Sequence, residues 1–532
     1  MTGKTLVFHQ AARQRLLDGV NALAEAVKVT LGPGGRNVIV ERRGDTPLIA
    51  NSGVVVAGSV AVPDAFEEMG VRLLREVATR TSELAGDGTT TATTLAQAIM
   101  VEGNKYVAAG FDPMALRRAI EAAGQRVVAR LRELARPCAG TDEVRHIATI
   151  SASGDASIGG IVAQAVERVG RDGAISIEDG SKLEDELETV EGSMIEHGFA
   201  SPLFLGEEGR EVVLEEPRIL LCDASISSIA QMLPLLEALS ATGKPLLVVA
   251  NEIEGEALAT LVVNHLRGAL KSCAVRSPEF GERRTETLND LATLTGATVI
   301  SPQMGRTLEH AKLDDLGAAR RVEITRDTTT IVEARGVRHG IEERIGALRA
   351  RLEKLGPGSE RDALARRLTR LAGGVAVIRV GAATETALHE RKNRFEDALH
   401  ATRAAVEEGI VAGGGVALLR ARAVLDALDA DETARAGAKI VHDALAAPLG
   451  QIAENAGADA QMVVHAVSAA EGAWGYDAAS GSFGDMIAAG IVDPLKVTRT
   501  ALQNAVSIAS LLLTTDCMIA RQESASYEAQ AE

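Results

Sequence analysis

Ala85-Gly-Asp-Gly-Thr-Thr-Thr-Ala92 is the stretch on which the fold turns. It follows a helical pattern from Ala65 to Leu84, with apolar residues at Val71, Leu74, Val77 and Leu84. It precedes a second such pattern from Thr93 to Ala109. Gly86 and Gly88 break the helix, because glycine tolerates backbone angles that other residues avoid. Asp87 and three threonines then crowd a helix start, where unpaired N–H groups and a partial positive charge favour phosphate. Threonine hydroxyls add donors, and an aspartate there can hold the Mg2+ that accompanies a nucleotide. Asp and Thr are also ordinary N-caps, and on the octet alone that is the commoner explanation. The rest of the chain weighs against it.

The 532 residues suffice for about three or four domains at ~150 residues each. Hydrophobic residues make up 46%, which excludes a disordered chain. Aromatic residues are only 2%, so the cores must be built mostly from Ala, Val, Leu and Ile. A net charge of −17 disfavours nucleic acid and anionic membranes as partners. Cys138, Cys222, Cys273 and Cys517 lie far apart and form no C-x-x-C pair, so zinc and thioredoxin chemistry have no footing. Buried thiols in a reducing compartment are expected. The first residues carry no long apolar run, and no segment reaches the ~18 apolar residues of a membrane span. A cytoplasmic location is the expectation.

Residues 10–29 read as an amphipathic helix with Leu16, Val20, Leu23 and Val27 on one stripe. It runs into Thr30-Leu-Gly-Pro-Gly-Gly-Arg-Asn37, a tight loop that a ligand can approach but that lacks the Gly-Lys-Ser/Thr of a phosphate-binding Walker loop. Residues 38–40 and 48–49 suggest a hairpin, and helices follow to about Arg136. Beyond Pro137 strands and helices alternate: 219–222, 229–239, 246–249, 257–266, 274–275, 285–295 and 298–300. Such alternation predicts a parallel α/β layer, and no catalytic constellation stands in it. Charged helices are expected at 340–355 and 360–371, a strand at 375–379, and a long helix from Glu385 to Glu408 that carries Asp397. A second glycine cluster, Ala412-Gly-Gly-Gly-Val416, opens the last, helical part.

The apolar sets Ile229, Met232, Leu233, Leu235, Leu236, Leu239 and Leu258, Leu261, Val262, Val263, Leu266 exceed one packing stripe. At ~100° per residue the second sweeps about 200°. The excess is either an exposed binding face or a helix buried between two layers, and pattern alone does not choose. The two helical ends share one texture, which suggests a nested layout with both around a glycine-lined site.

Several stretches together carry a resemblance. They are Val29-Thr-Leu-Gly-Pro-Gly-Gly-Arg-Asn37, the octet at 85–92, Lys244-Pro-Leu-Leu247, Glu254-Gly-Glu-Ala-Leu-Ala-Thr-Leu-Val-Val-Asn264, Leu371-Ala-Gly-Gly-Val-Ala-Val377, Gly381-Ala-Ala-Thr-Glu385, and Asp397-Ala-Leu-His-Ala-Thr-Arg-Ala-Ala-Val-Glu-Glu-Gly409. With them the chain resembles a group I chaperonin, the GroEL type, over essentially its whole length. The resemblance implies a multidomain α+β chaperonin fold. A helical equatorial ATP-binding domain would comprise 1–133 and 408–521, and a small intermediate hinge domain 134–190 and 376–407. An α/β apical domain would span 191–375, with a disordered tail at 522–532. It implies ATP and Mg2+, with K+ as a further candidate cation. It also implies seven-membered homo-oligomeric rings stacked in pairs, unfolded client proteins, and a GroES-type lid.

Carried over by match, Thr30, Leu31, Gly32, Pro33, Asp87, Gly88, Thr89, Thr90, Thr91, Ile150, Ser151, Gly414, Asp477, Ala478, Ala479 and Asp493 would line the nucleotide. Asp87 would ligate the metal, and Asp397 would be the catalytic acid that orients the attacking water. Phe199, Leu203, Phe204, Leu233, Leu236, Leu258, Val262 and Val263 match the apical positions for client and lid. Departures from the family pattern mark a divergent paralogue. Asn51-Ser52-Gly53 stands where a lysine and an aspartate usually precede the glycine. Asp477 replaces an asparagine. Gly450 replaces an arginine that pairs across rings with the acid matched by Asp459, and the C-terminal glycine–methionine repeats are missing.

Overall fold

With so few aromatic side chains, the helices of this protein pack by close approach. The computed structural model describes residues 4–41, 47–138, 140–170, 173–180, 182–190, 192–205, 211–355, 358–426 and 431–521. The expected tail at 522–532 lies outside them, as does Glu191, the expected first residue of the apical domain. The chain divides into two compact units, Met1–Ala163 with Asn393–Glu532, and Gln164–Lys392. The expected hinge segments are shared: 134–163 and 393–407 fall in the first unit, 164–190 and 376–392 in the second.

In the first unit, helix Leu495–Leu513 runs against Thr89–Ala108, Pro113–Leu134 and Ala65–Ala85. A methyl group at Gly103 would overlap Leu513, and one at Gly124 would lie 3.0 Å from Val506. These glycines therefore let Leu and Val fill the space that aromatic rings occupy elsewhere. Strand Lys4–Phe8 pairs antiparallel with Cys517–Arg521, with Lys4 opposite Arg521, so both ends of the chain close one sheet. Two of the helix starts are capped by short acids: Asp64 accepts from Phe66 and Glu67 N–H at 2.9 and 3.1 Å, and Asp112 from Met114 N–H at 2.9 Å ahead of Pro113. Helix Thr89–Ala108 begins four residues before the expected Thr93. Thr93 and Thr94 both return their hydroxyls to the Thr90 carbonyl, at 2.9 and 2.8 Å, so the threonine run is itself helical.

The second unit holds the expected parallel layer, strands Arg218–Ile226, Leu246–Ile253 and Ser272–Arg276, with Val299–Ile300 parallel to the first. The sheet is larger than expected and mixed. Strands Gly317–Ile324, Thr329–Ala334, Gly192–Ile195 and Val212–Glu215 extend it antiparallel. Their charges hide them from a hydrophobic pattern, yet those charges are paired. Arg321 bonds Glu323 and Glu215 at 2.8 Å each, and Arg320 bonds Glu333 at 2.6 Å and Glu178 at 2.7 Å. The single helix expected at 229–239 is broken: a 3-10 turn Ile229–Gln231 precedes helix Leu233–Ser240, because Pro234 is tolerated only in a first turn.

Candidate nucleotide site and apolar face

The octet forms a double reversal. Gly86 closes helix Ala65–Ala85 at φ +75° and Gly88 opens helix Thr89–Ala108 at φ +83°, both left-handed conformations that suit glycine. Between them Asp87 is half-buried, and its carboxylate accepts from the Ser151 hydroxyl and from Gly88 N–H. No side chain caps the Thr89 helix start. Its first-turn donors therefore have no side-chain acceptor of the usual kind, the condition for an anion site. Ile150, exposed, is the residue before Ser151, the last of helix Thr141–Ser151.

Asp493 sits on strand Val492–Pro494, opposite Val411 of strand Ile410–Ala412. Burial pushes its carboxyl up to about 7, and the Asp87 charge pushes the same way. Two acids brought together in this manner call for a cation. The glycine cluster lies alongside: a methyl group at Gly413 would lie 3.0 Å from Asp493 Oδ1, and one at Gly414 3.8 Å from the Tyr476 carbonyl.

The Thr30–Pro33 loop is fixed from both sides. Arg36 N–H bonds the Val29 carbonyl at 2.8 Å, and the Asn455 amide bonds the Lys28 and Leu31 carbonyls at 2.9 Å each. Gly32 packs on Ile452 while Leu449, on the same helix Ala447–Asn455, packs on Gly415. Thr30 Oγ1 stands 3.4 Å from Thr90 Oγ1. The structure thus brings the first glycine loop, the octet, the second glycine cluster and Asp493 into one neighbourhood.

Asp477 is bonded within its own turn. Its carboxylate takes the Ser480 hydroxyl at 2.6 Å and Ala479 N–H at 2.9 Å, and the Ser480 bond, with the backbone donors, holds its pKa down. The added charge is spent on its own turn.

Helix Glu385–Glu408 reaches this neighbourhood at His400, whose side chain a methyl at Gly86 would overlap. Ala404 packs with Ala85 and Val497 on the same side. Asp397, partly buried, is one turn before His400 and so its neighbour on the helix surface. A contact that sequence reasoning missed concerns the stem. A methyl at Gly53 would overlap Thr90 Oγ1 and lie 2.7 Å from Thr89 Oγ1, which places Asn51 and Ser52 beside the helix start.

The apical set divides in three. Leu203, Leu233 and Val263 are exposed, at 63%, 48% and 43%. Phe199 and Leu258 are half-buried, whereas Phe204, Leu236 and Val262 lie in the core of the second unit. Leu266, which was not among the matched positions, is 58% exposed one turn beyond Val263.

A helical unit built from both ends of the chain, with an α/β unit inserted in its sequence, is the chaperonin arrangement. The chaperonin gp146 from bacteriophage EL 2 (Pseudomonas aeruginosa), crystallised in the presence of ATP-BeFx, has this fold. It superposes with a TM-score of 0.68 over 97% of this chain and 98% of its own, at 23% identity. Residues 23–523 match the TCP-1/cpn60 chaperonin family, and the chain belongs to that family. It is of the GroEL type. It is 52% identical to Chaperonin GroEL 1 of Polaromonas naphthalenivorans (strain CJ2) over 99% of this chain and 98% of that protein. It is 53% identical to Chaperonin GroEL 2 of Albidiferax ferrireducens over 98% and 96%. No helix among the described residues is long and apolar enough to cross a membrane.

Proposed function

We propose that this protein is an ATP-driven chaperone that captures unfolded proteins on the Leu203–Leu233–Leu258–Val263 face and encloses them in a ring closed by a GroES-type lid. Hydrolysis at the site around Asp87 is slow. The observation that carries the reading is the convergence of Thr30, Thr90, Gly413, Asp493 and Ser151-bonded Asp87 on one uncapped helix start. Unfolded proteins share no sequence but share exposed apolar surface, so a ring of aliphatic patches binds them broadly.

The residues fit a divalent cation. Asp87 and Asp493 would hold Mg2+, which when bound neutralises phosphate charge. Among the described residues no cluster of three or more His, Cys, Asp or Glu forms a closed metal cage, which suits a cation held partly by phosphate oxygens. The Thr89–Thr91 backbone would bind phosphate, and the rigid Thr30–Pro33 loop would fix its orientation. Asp397 would orient and deprotonate the water. Phosphoryl transfer asks for positioning and charge stabilisation, and here Asn51 supplies no cation and Ser52 no second carboxylate.

A second reading rests on that same pair: a holding chaperonin that binds client and ATP with little turnover. Refolding of a denatured enzyme with and without ATP and lid separates them. ATP-dependent recovery of native enzyme establishes the folding chamber; suppressed aggregation without recovery establishes the holder.

A further inference from the structure

Helix Thr141–Ser151 meets both acids of the candidate site. Val144, Ile147 and Ala148 are its buried stripe, and Ser151 continues that stripe one turn beyond Ile147 and Ala148. The Ser151 hydroxyl donates to the Asp87 carboxylate. The body of the helix packs on strand Val492–Pro494, which carries Asp493. Burial and the Asp87 charge both push the Asp493 carboxyl up, so the two acids feel one another.

His146, half-buried on the flank of that stripe, seats the helix. A methyl group at Gly490 would lie 2.8 Å from His146 Cγ, 2.9 Å from Nδ1 and 3.0 Å from Cδ2. A point nearest Cγ and almost equally far from both its ring neighbours lies above the ring plane, so the imidazole takes Gly490 face-on. A residue with a side chain has no room there, and the φ of +75° also suits glycine. Gly490 closes the turn that leads to Asp493. Its N–H bonds the Ile487 carbonyl at 3.1 Å, Ile491 N–H bonds the Met486 carbonyl at 2.7 Å, and the Ile491 carbonyl accepts Gly413 N–H at 3.0 Å. One helix thus holds Asp87 through Ser151 and rests through His146 on the turn before Asp493.

We propose that His146 is a positioning residue for the metal: seated on Gly490, it sets where helix Thr141–Ser151 ends, and so the hydrogen bond by which Ser151 orients Asp87 toward Mg2+. The proposal rests on reading Asp87 as a Mg2+ ligand of a nucleotide site. A ligating carboxylate keeps its orientation through the hydrogen bonds it accepts, and losing such a partner costs about 10- to 100-fold in metal affinity. Other contacts keep the helix itself in place. Glu143 returns its carboxylate to Gly140 N–H at 2.6 Å, and Thr149 abuts Gly159 so closely that a methyl group there would overlap its hydroxyl. Loss of the imidazole therefore tilts the helix without detaching it.

The test uses the full chain, with Mg2+ and the non-hydrolysable analogue AMP-PNP as probes and Trp474 fluorescence as the readout. The quantity measured is the ratio of the analogue's dissociation constant in EDTA to that in excess Mg2+. General loosening of the site weakens both constants, whereas a misoriented Asp87 lowers the ratio alone. His146→Ala should lower the ratio about tenfold and leave the EDTA constant and the melting temperature almost unchanged. Gly490→Ala, whose methyl group displaces the ring, should lower it likewise. His146→Phe, which keeps a flat ring over Gly490, should stay within about twofold of the parent. His146→Leu, which fills the volume without a flat face, replaces the alanine variant if that does not fold. Ser151→Ala should lower the ratio at least as far as His146→Ala, and the double variant no further, because the histidine acts through that hydroxyl. An unchanged ratio in His146→Ala or His146→Leu overturns the proposal, as do additive losses in the double variant. An unmodified protein whose affinity for the analogue does not rise with Mg2+ refutes the reading of the site itself, and the proposal with it.

Discussion

Gly53 lies so close to Thr90 that a methyl group at position 53 would overlap the Thr90 hydroxyl. The stem hairpin, strands Val38–Val40 and Leu48–Ala50, thus leads directly onto the proposed phosphate site. Gly53→Ala should push the Thr90 hydroxyl and the helix start away from their present positions. Nucleotide affinity should fall about tenfold or more, since small misplacements of a positioned group are costly. Trp474, the one tryptophan of the chain, stacks on Phe483 with centroids 5.0 Å apart, three residues before Asp477, and its fluorescence can report binding. Unchanged affinity would show that Thr90 does not contact the nucleotide.

The same proximity governs turnover. Loss of a positioned general base costs ~10²–10⁴-fold. With Ser52 in place of a second acid, turnover should lie roughly ten- to a thousand-fold below a typical family member, within that general-base range or under it. Asp397→Ala should nearly abolish phosphate release and leave the Trp474 signal on ATP addition intact. Asn51→Lys combined with Ser52→Asp should raise the rate. If the unmodified chain already hydrolyses ATP at the usual rate, or the double substitution changes nothing, Ser52 is no deficit.

Asp493 gives a pH signature. Its carboxyl titrates near 7 in the folded protein, against 3.8 ordinarily. A raised acid binds its proton more tightly when folded, so its contribution to stability is present at low pH and is lost as pH rises from about 4 through about 7. Without nucleotide, Asp493→Asn should therefore melt at the same temperature as the parent near pH 4 and higher near pH 8. The difference should be several °C, at about 2 °C or less per kcal/mol for a unit of more than 250 residues. Mg2+ with ATP should narrow the gap by stabilising only the ionised parent. A parent that is more stable than the variant at pH 8 without nucleotide would overturn the assignment.

The helical ends and the parallel layer were legible in the sequence because each has a clean period: Val71, Leu74 and Val77 on one stripe, Leu246–Val249 as an unbroken apolar strand. What was hidden had its charges cancelled or its boundary set by one residue. Strand Gly317–Ile324 reads as polar through Arg320, Arg321 and Glu323, yet their ion pairs let it join the sheet. Pro234 divided a helix that hydropathy made continuous. At the site, Asp87, Thr30 and the glycines were legible as types that favour phosphate. The approach of Gly53 to Thr90 was not, because a glycine's neighbour leaves no trace in local pattern.

Burial sorts the apical residues into two kinds of variant. Leu233→Ser and Val263→Ser should weaken capture of unfolded protein and of the lid about tenfold or more and leave the melting temperature almost unchanged, as exposed sites do. Leu236→Ser, at a core position, should cost about 2–5 kcal/mol, so any loss of capture should follow loss of fold. Parallel loss of stability in the Leu233 and Val263 variants would show that this face is core.

Gly450 bears on assembly. On helix Ala447–Asn455 a methyl group there would meet only Ala460 at 3.7 Å and Val464 at 3.9 Å, ordinary contacts that leave room for a long side chain. Asp459, the acid matched to the inter-ring pair, already caps helix Ala460–Ser468 by accepting Met462 N–H at 2.9 Å, so its carboxylate is held in place. An exposed ion pair contributes only ~0–1 kcal/mol, but a closed ring repeats it at every subunit, and isologous stacking repeats it again. Without the arginine, rings should stack weakly and separate on dilution or in raised salt. Gly450→Arg should fold normally and shift native mass spectra from single toward double rings at low salt, the gain shrinking as salt screens the pair. A stack that survives dilution and salt in the unmodified chain, or an arginine variant with the same ring distribution, would show that other contacts hold the rings together.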